Sequence, residues 1–210
     1  MRLFVAIELD DRIRRRLAGQ RDEWPLAGCH IRKSAAEHLH LTLKFLGMVE
    51  DDRVSAVCEG TESAARQMRP FDMRIYGAGC FPPRGRVRVL WAEVTSPLDV
   101  LASSFESLEH GLFERGFERE NRPFSPHITL GRVAYDSTNG ALRRSVAIAR
   151  LGPLTQAVDS LTVMQSQLSP KGAQYTPVVK CKFGKVDQQR PARKRLDGEG
   201  GDCMRSGADS

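Results

Sequence analysis

Three features of the sequence predict an α+β fold made of two pseudo-symmetric lobes, with antiparallel-rich sheet and outer helices around a central groove. Segments of two-residue apolar alternation take turns with segments of helical periodicity. One strand pattern, His40-Leu41-Thr42-Leu43, recurs as His127-Ile128-Thr129-Leu130. The order strand, helix, His-x-Thr strand, helix, strand also runs through twice, with nearly equal spacings from Leu3 to His40 and from Val89 to His127. Residues 1–186 form one bilobal domain in this reading, and a pseudo-twofold axis brings both His-Thr faces to one groove.

Leu3 to Leu9, apolar except at Glu8, reads as a buried strand. Asp10 or Asp11 then caps a helix, because a carboxylate accepts hydrogen bonds from the free amides of the first turn. Ile13, Leu17 and Trp24 continue it at helical spacing until Pro25. The His40 strand comes next and stops near Gly47. Acidic Glu50, Asp51 and Asp52 suit the start of a helix carrying Val54, Val57, Ala64, Ala65 and Met68, which Pro70 ends. Phe71, Met73 and Ile75 alternate as a strand. Pro82-Pro83-Arg84-Gly85 is a turn, and Val87, Val89 and Trp91 alternate after it. Ser96 or Pro97 opens a helix with Leu98, Leu101, Phe105, Leu108 and Leu112, capped by Gly116. The His127 strand is next, then a helix over about Ser137 to Arg150, whose start the turn signal Asn139-Gly140 leaves open. A strand with Leu161, Val163 and Gln165, a turn at Ser169 to Gly172 and a strand from Gln174 to Phe183 close the domain. Residues 187–210 are polar, charged and glycine-rich, and read as a disordered tail.

Composition narrows the class. The chain has 210 residues, 40% of them hydrophobic and 28% charged, which is ordinary for a globular protein. Its formal net charge of +6 favours an anionic partner such as RNA or a phosphate ester. The five cysteines are scattered and include no Cys-x-x-Cys, so neither a disulfide framework nor a zinc site is expected, and a reducing cytoplasm fits. No apolar run is long enough to span a membrane, and the N-terminus is interrupted by charge too early for a signal peptide.

On each His-x-Thr strand the imidazole and the hydroxyl lie two residues apart and share a face. A histidine near its ordinary pKa is acid or base at neutral pH. Two of them facing one substrate can take a proton from water and give one to a leaving alkoxide at the same time. This suits a phosphodiester, whose nucleophile and leaving group lie on opposite sides of phosphorus. Thr42 and Thr129 are placed to donate hydrogen bonds to the non-bridging oxygens. No Asp, Glu and His cluster at metal-ligand spacing accompanies the motifs, so neither a metal nor another cofactor is expected. The near symmetry of the motifs leaves open which histidine is the acid.

The doubled motif resembles that of the 2H phosphoesterases, and within them the RNA 2′,3′-cyclic phosphodiesterases of bacteria and archaea, formerly called 2′-5′ RNA ligases. The resemblance runs from about Arg2 to Phe183. It rests on Arg2-Leu3-Phe4-Val5-Ala6-Ile7, His40 to Gly47, Ser125 to Arg132, and Ser166-Gln167-Leu168 with Gly172 and Tyr175 after it. It implies a LigT-like fold and hydrolysis of a terminal 2′,3′-cyclic phosphate of RNA to a 2′-phosphate. It further implies His40 as proton donor to the departing 3′ oxygen, His127 as proton acceptor that activates water, and Thr42, Thr129 and Arg132 as phosphate-binding residues. Strand parity places Arg132 on the Ile128 face, away from His127, unless a bulge near Gly131 turns it inward. Three other activities remain compatible: 2′-5′ RNA end joining, a phosphodiesterase for small cyclic nucleotides, and an RNA-end-binding module without turnover. A monomer is expected.

Several further residues have expected places. Parity puts His38 and Lys44 on the face of His40, where His38 is a groove-rim or strand-end residue and Lys44 attracts RNA or is simply solvated. Trp24 and Trp91 follow apolar periodicity and read as core residues rather than base-stacking platforms. The Arg12 to Arg16 cluster steers RNA or solvates its helix, and His30 and His110 have no partner motif.

Overall fold

The computed structural model describes residues 1–24, 28–149, 151–169 and 172–184. Strand β1 (Arg2–Glu8) is buried from Leu3 to Ile7, as expected of a strand covered on both faces. Helix α1 (Asp11–Asp22) turns Ile13 and Leu17 into the core and leaves Arg12, Arg15 and Arg16 in solvent. After β2 (Cys29–Lys33) come β3 (His40–Met48) and α2 (Val54–Gln67), then the hairpin of β4 (Phe71–Phe81) and β5 (Val89–Ser96). Helix α3 (Leu98–Phe113) leads to β6 (His127–Asp136), α4 (Ala141–Ile148), β7 (Leu154–Val158), β8 (Ser160–Ser169) and β9 (Gly172–Lys182).

These strands make one antiparallel sheet in the order β7-β4-β5-β6-β3-β1-β8-β9, with β2 on the part of the β6 edge that β3 leaves free. The order is symmetric about the β6–β3 seam. Moving outward from it, β5 corresponds to β1, β4 to β8 and β7 to β9. The two lobes therefore share a continuous sheet, and their seam has one registered pair, Leu41 opposite Ile128.

The main core joins Val5, Ile7, Leu41, Leu43, Ile128 and Leu130 of the sheet to Val57 and Ala64 of α2 and Leu101, Leu108 and Leu112 of α3. Helices α2 and α3 cross where Gly60 meets Gly111, and a Cβ on Gly111 would lie 2.7 Å from the Gly60 carbonyl oxygen. The opposite face of the sheet carries a small buried cluster of Phe4, Ala6 and Met164 against Tyr175. That face is the groove.

Several boundaries differ from expectation. Strands β2 and β7 were not anticipated. β2 has just two apolar positions, Cys29 and Ile31, and β7 interrupts its alternation with Gln156, whose amide donates to the Glu8 carbonyl and accepts from the Asp10 amide. α1 ends at Asp22, before Trp24. α4 begins at Ala141 rather than Ser137, because Asn139 and Gly140 hold left-handed φ values of 49° and 87°. Val87 is buried but precedes β5. The tail 187–210 lies outside the described residues.

Candidate active site

Directly opposed residues in an antiparallel pair share a face. His40 lies opposite Glu8 and Thr42 opposite Ala6; across the seam, His127 lies opposite Glu93 and Thr129 opposite Trp91. The side chains of Leu41 and Ile128, the seam pair, are in the core. Both His-Thr pairs therefore project from neighbouring strands into the groove, each histidine flanked by a carboxylate residue. Glu8 is itself held: its Oε2 accepts from the Thr162 hydroxyl at 2.8 Å, and Arg14 and Lys180 lie 3.7 and 3.6 Å away.

Each imidazole is fixed in the same way. His40 Nδ1 is 2.7 Å from the His38 carbonyl oxygen, and His127 Nδ1 is 2.7 Å from the Ser125 carbonyl oxygen. A carbonyl only accepts, so Nδ1 carries the proton in both rings. In the neutral ring Nε2 then holds the free lone pair and is the atom that can take or return a proton. The contribution of His38 to the groove is this carbonyl, together with an edge contact of its ring to Tyr175 at 5.0 Å.

Two bulges set the direction of the side chains beyond each threonine. In the β1–β3 ladder Thr42 faces Ala6 and Lys44 faces Val5, so Leu43 is an extra residue. In the β5–β6 ladder Thr129 faces Trp91 and Gly131 faces Leu90, so Leu130 is the extra one. Past each bulge the faces exchange. Arg132 lies opposite Val89, which shares the groove face with Trp91 and Glu93, so the arginine projects on the side of His127 and Thr129. The simple parity of the sequence had put it on the other side. Lys44 moves the opposite way and is neither a groove cation nor solvated: it is buried, with Nζ 2.6 Å from Glu109 Oε1 of α3. Phe45, opposite Phe4, holds in β3 the place that Arg132 holds in β6.

Aromatic rings wall both histidines. Phe4 stacks under His40 at 4.8 Å and Tyr175 meets it edge-on at 5.2 Å. Phe81 meets His127 edge-on at 5.0 Å, and Trp91 lies at 6.2 Å. Trp91 is thus a groove residue and not a core one. It is accommodated because position 79 is glycine, where any Cβ would overlap the indole. Trp24 does pack partly buried against the core.

Burial against these rings lowers the His40 pKa from 6.5 to about 4, with Arg14 and His38 acting in the same direction and the His38 carbonyl and Glu8 opposing it. His40 in the free protein is consequently an unprotonated ring at neutral pH. Among the described residues, no group of three or more His, Cys, Asp or Glu side chains is placed to hold a metal ion.

A family model described as LigT like Phosphoesterase matches residues 7–91 and 94–175. The chain belongs to the LigT-like phosphoesterase family. Among its relatives in that family, a Thermotoga maritima protein named RNA 2′,3′-cyclic phosphodiesterase is 30% identical over 183 residues, covering 87% of this chain and 96% of the relative. An Archaeoglobus fulgidus protein of the same name is 33% identical, covering 83% and 96%. The LigT-like fold is also that of a Thermus thermophilus crystal structure with a TM-score of 0.75 at 29% identity, covering 89% of this chain and 100% of that one. The crystal structure of E. coli LigT complexed with 3′-AMP has a TM-score of 0.71 at 29% identity, covering 88% and 98%.

Sequence reasoning missed Glu8, Phe4, Phe81 and the two carbonyls. The alternation Phe4-Ala6-Glu8 was a signal for a second, non-core face of β1. The carbonyls carry no sequence signal, because every residue has one.

Proposed function

We propose that this protein hydrolyses the terminal 2′,3′-cyclic phosphate of RNA to a 2′-phosphate, without a metal. The observation that carries the reading is the pair of histidines on adjacent strands, each anchored through Nδ1 so that both Nε2 atoms serve the same groove. His127 takes a proton from the attacking water, and His40 gives one to the 3′ oxygen as its bond to phosphorus breaks. Thr42 and Thr129 hold the non-bridging oxygens, and Arg132 offsets the charge that develops there. The names of the Thermotoga and Archaeoglobus relatives support the substrate class. Residues 1–186 act as one bilobal unit, in the cytoplasm, as a monomer in this proposal.

The test is incubation with RNA ending in a 2′,3′-cyclic phosphate, in excess chelator, with identification of the product isomer. A 2′-phosphate is expected, and His40→Ala and His127→Ala each lower kcat by roughly 10²–10⁴-fold with the fold intact. Full turnover in either variant, or turnover lost to the chelator, would overturn the reading. A 5′-hydroxyl RNA acceptor in the same assay detects the end-joining alternative, in which that hydroxyl replaces water.

One observation favours a second reading of the roles. A His40 pKa of about 4 makes this ring a base in the free protein. As the donor it must gain its proton when the phosphodiester anion binds. A substrate with a p-nitrophenolate leaving group decides between the roles, because so weak a base leaves without protonation. The variant that lacks the proton donor keeps activity on that ester, and the variant that lacks the acceptor does not. Retention by His127→Ala instead of His40→Ala would exchange the two.

A further inference from the structure

The groove is symmetric in its histidines and asymmetric in its charge. In β6 the residue three past the threonine is Arg132; in β3 it is Phe45, with the Arg2 guanidinium over its ring at 5.0 Å. Arg132 is opposed on its other side by Arg32 of β2. Like charges directly opposite each other destabilise a sheet. Neither arginine has an acidic partner within 4 Å among the described residues. The same holds for Arg84 and Arg88, on the hairpin that joins β4 to β5. These two line an open depression of about 630 Å³ whose apolar lining includes Phe81 and Val89. Phe81 touches His127 and Val89 lies opposite Arg132, so the depression opens beside the catalytic groove.

The hairpin is built to stay in place. Arg143 of α4 donates to the carbonyls of Pro82 at 3.0 Å and Gly85 at 2.8 Å. Arg86 donates to the Ala134 carbonyl at 2.6 Å. Two arginines thus brace the loop, and Arg84 and Arg88 make no side-chain hydrogen bond among the described residues. An apolar floor rimmed by free guanidinium groups is suited to a nucleotide. A ring can lie on the floor while phosphates meet the rim.

We propose that Arg32, Arg84 and Arg88 extend the site along the β6 lobe and bind the backbone phosphates of the RNA strand 5′ of the reacting nucleotide. This rests on the cyclic-phosphodiesterase activity proposed for the groove. The strand leaves the histidine pair past Arg132 and over the Phe81–Val89 floor. It does not leave toward β3, where Glu8 sets a carboxylate beside His40 and the Arg2 guanidinium is stacked over the Phe45 ring. The track makes the enzyme favour an oligonucleotide over a mononucleoside 2′,3′-cyclic phosphate.

The test compares the two substrates in the wild type and in the triple variant Arg32→Gln/Arg84→Gln/Arg88→Gln, across a series of salt concentrations. In the wild type, log(kcat/KM) for the oligonucleotide falls more steeply with log[salt] than for the mononucleotide, by a slope of about 2, at roughly 0.7 for each phosphate contact. In the variant this difference vanishes, and kcat/KM for the oligonucleotide drops about tenfold or more at low salt. Turnover of the mononucleotide is unchanged in the variant. Equal losses on both substrates, or none, overturn the proposal. So do equal salt slopes for the two substrates in the wild type, a measurement that needs no variant. A wild type inactive on both substrates instead refutes the underlying activity, and the two failures are thereby told apart.

Discussion

Lys44 and Glu109 meet at 2.6 Å with side chains only 5% and 3% exposed, so removing either partner leaves the other charge inside the protein. Lys44→Met strands the Glu109 carboxylate between α3 and the sheet. Breaking a buried pair from one side costs about 3–5 kcal/mol, against roughly 5–15 kcal/mol for a whole domain. At about 2–4 °C per kcal/mol for a chain of this size, the melting temperature falls by roughly 6–20 °C. Glu109→Met has an effect of the same order. The double variant Lys44→Met/Glu109→Met removes both charges and is less destabilised than either single one. It does not return to wild type, because Lys44 Nζ also donates to the Glu118 carbonyl at 2.7 Å and Glu109 Oε2 accepts from the Glu120 amide at 2.9 Å. Those two main-chain groups are left to water, at about 1 kcal/mol each. Urea unfolding monitored by circular dichroism measures all four proteins. Single variants within about 1 kcal/mol of wild type, or a double variant as unstable as the two singles added, would refute the reasoning. The pair matters to the site because it ties the His40 strand to the loop that delivers Ser125 and His127.

The remaining expectations concern the groove. The His40 pKa is lower in the folded protein, about 4 against 6.5, so the unfolded chain binds the extra proton as pH falls. The stability linked to this ring is complete above about pH 6.5 and is lost progressively toward pH 4, by roughly 3 kcal/mol in all. His40→Asn keeps an amide donor for the His38 carbonyl and lacks the titration. Its denaturant midpoint should therefore gain on the wild type between pH 7 and pH 4, and parallel profiles would contradict the assigned pKa. Gly79→Ala forces Trp91 off its seat beside His127, costing about 1–3 kcal/mol of stability and lowering kcat in the folded enzyme. An unchanged kcat together with an unchanged melting temperature would show that the indole has room to move.

Much of the site was legible before folding. His40, Thr42, His127 and Thr129 share a groove face because alternation on a strand is a local property, carried by the backbone of consecutive residues. The duplicated order of elements was readable for the same reason, since apolar periodicity reports which side of each segment is buried. Residues beyond the threonines were not legible by parity. Lys44 and Arg132 come after bulges at Leu43 and Leu130, and a bulge exists only where a partner strand leaves one residue unpaired. One lysine so enters the core to meet Glu109, and one arginine so enters the groove. Trp91 faces the groove on a ladder whose other side is Gly79, a contact between two strands. β2 and β7 have little pattern of their own and are strands through their pairing with β6 and β4. The His-Thr chemistry was thus local and written in the chain, whereas the cation beside it and the rings around it depend on pairings between distant segments, which no single stretch of sequence contains.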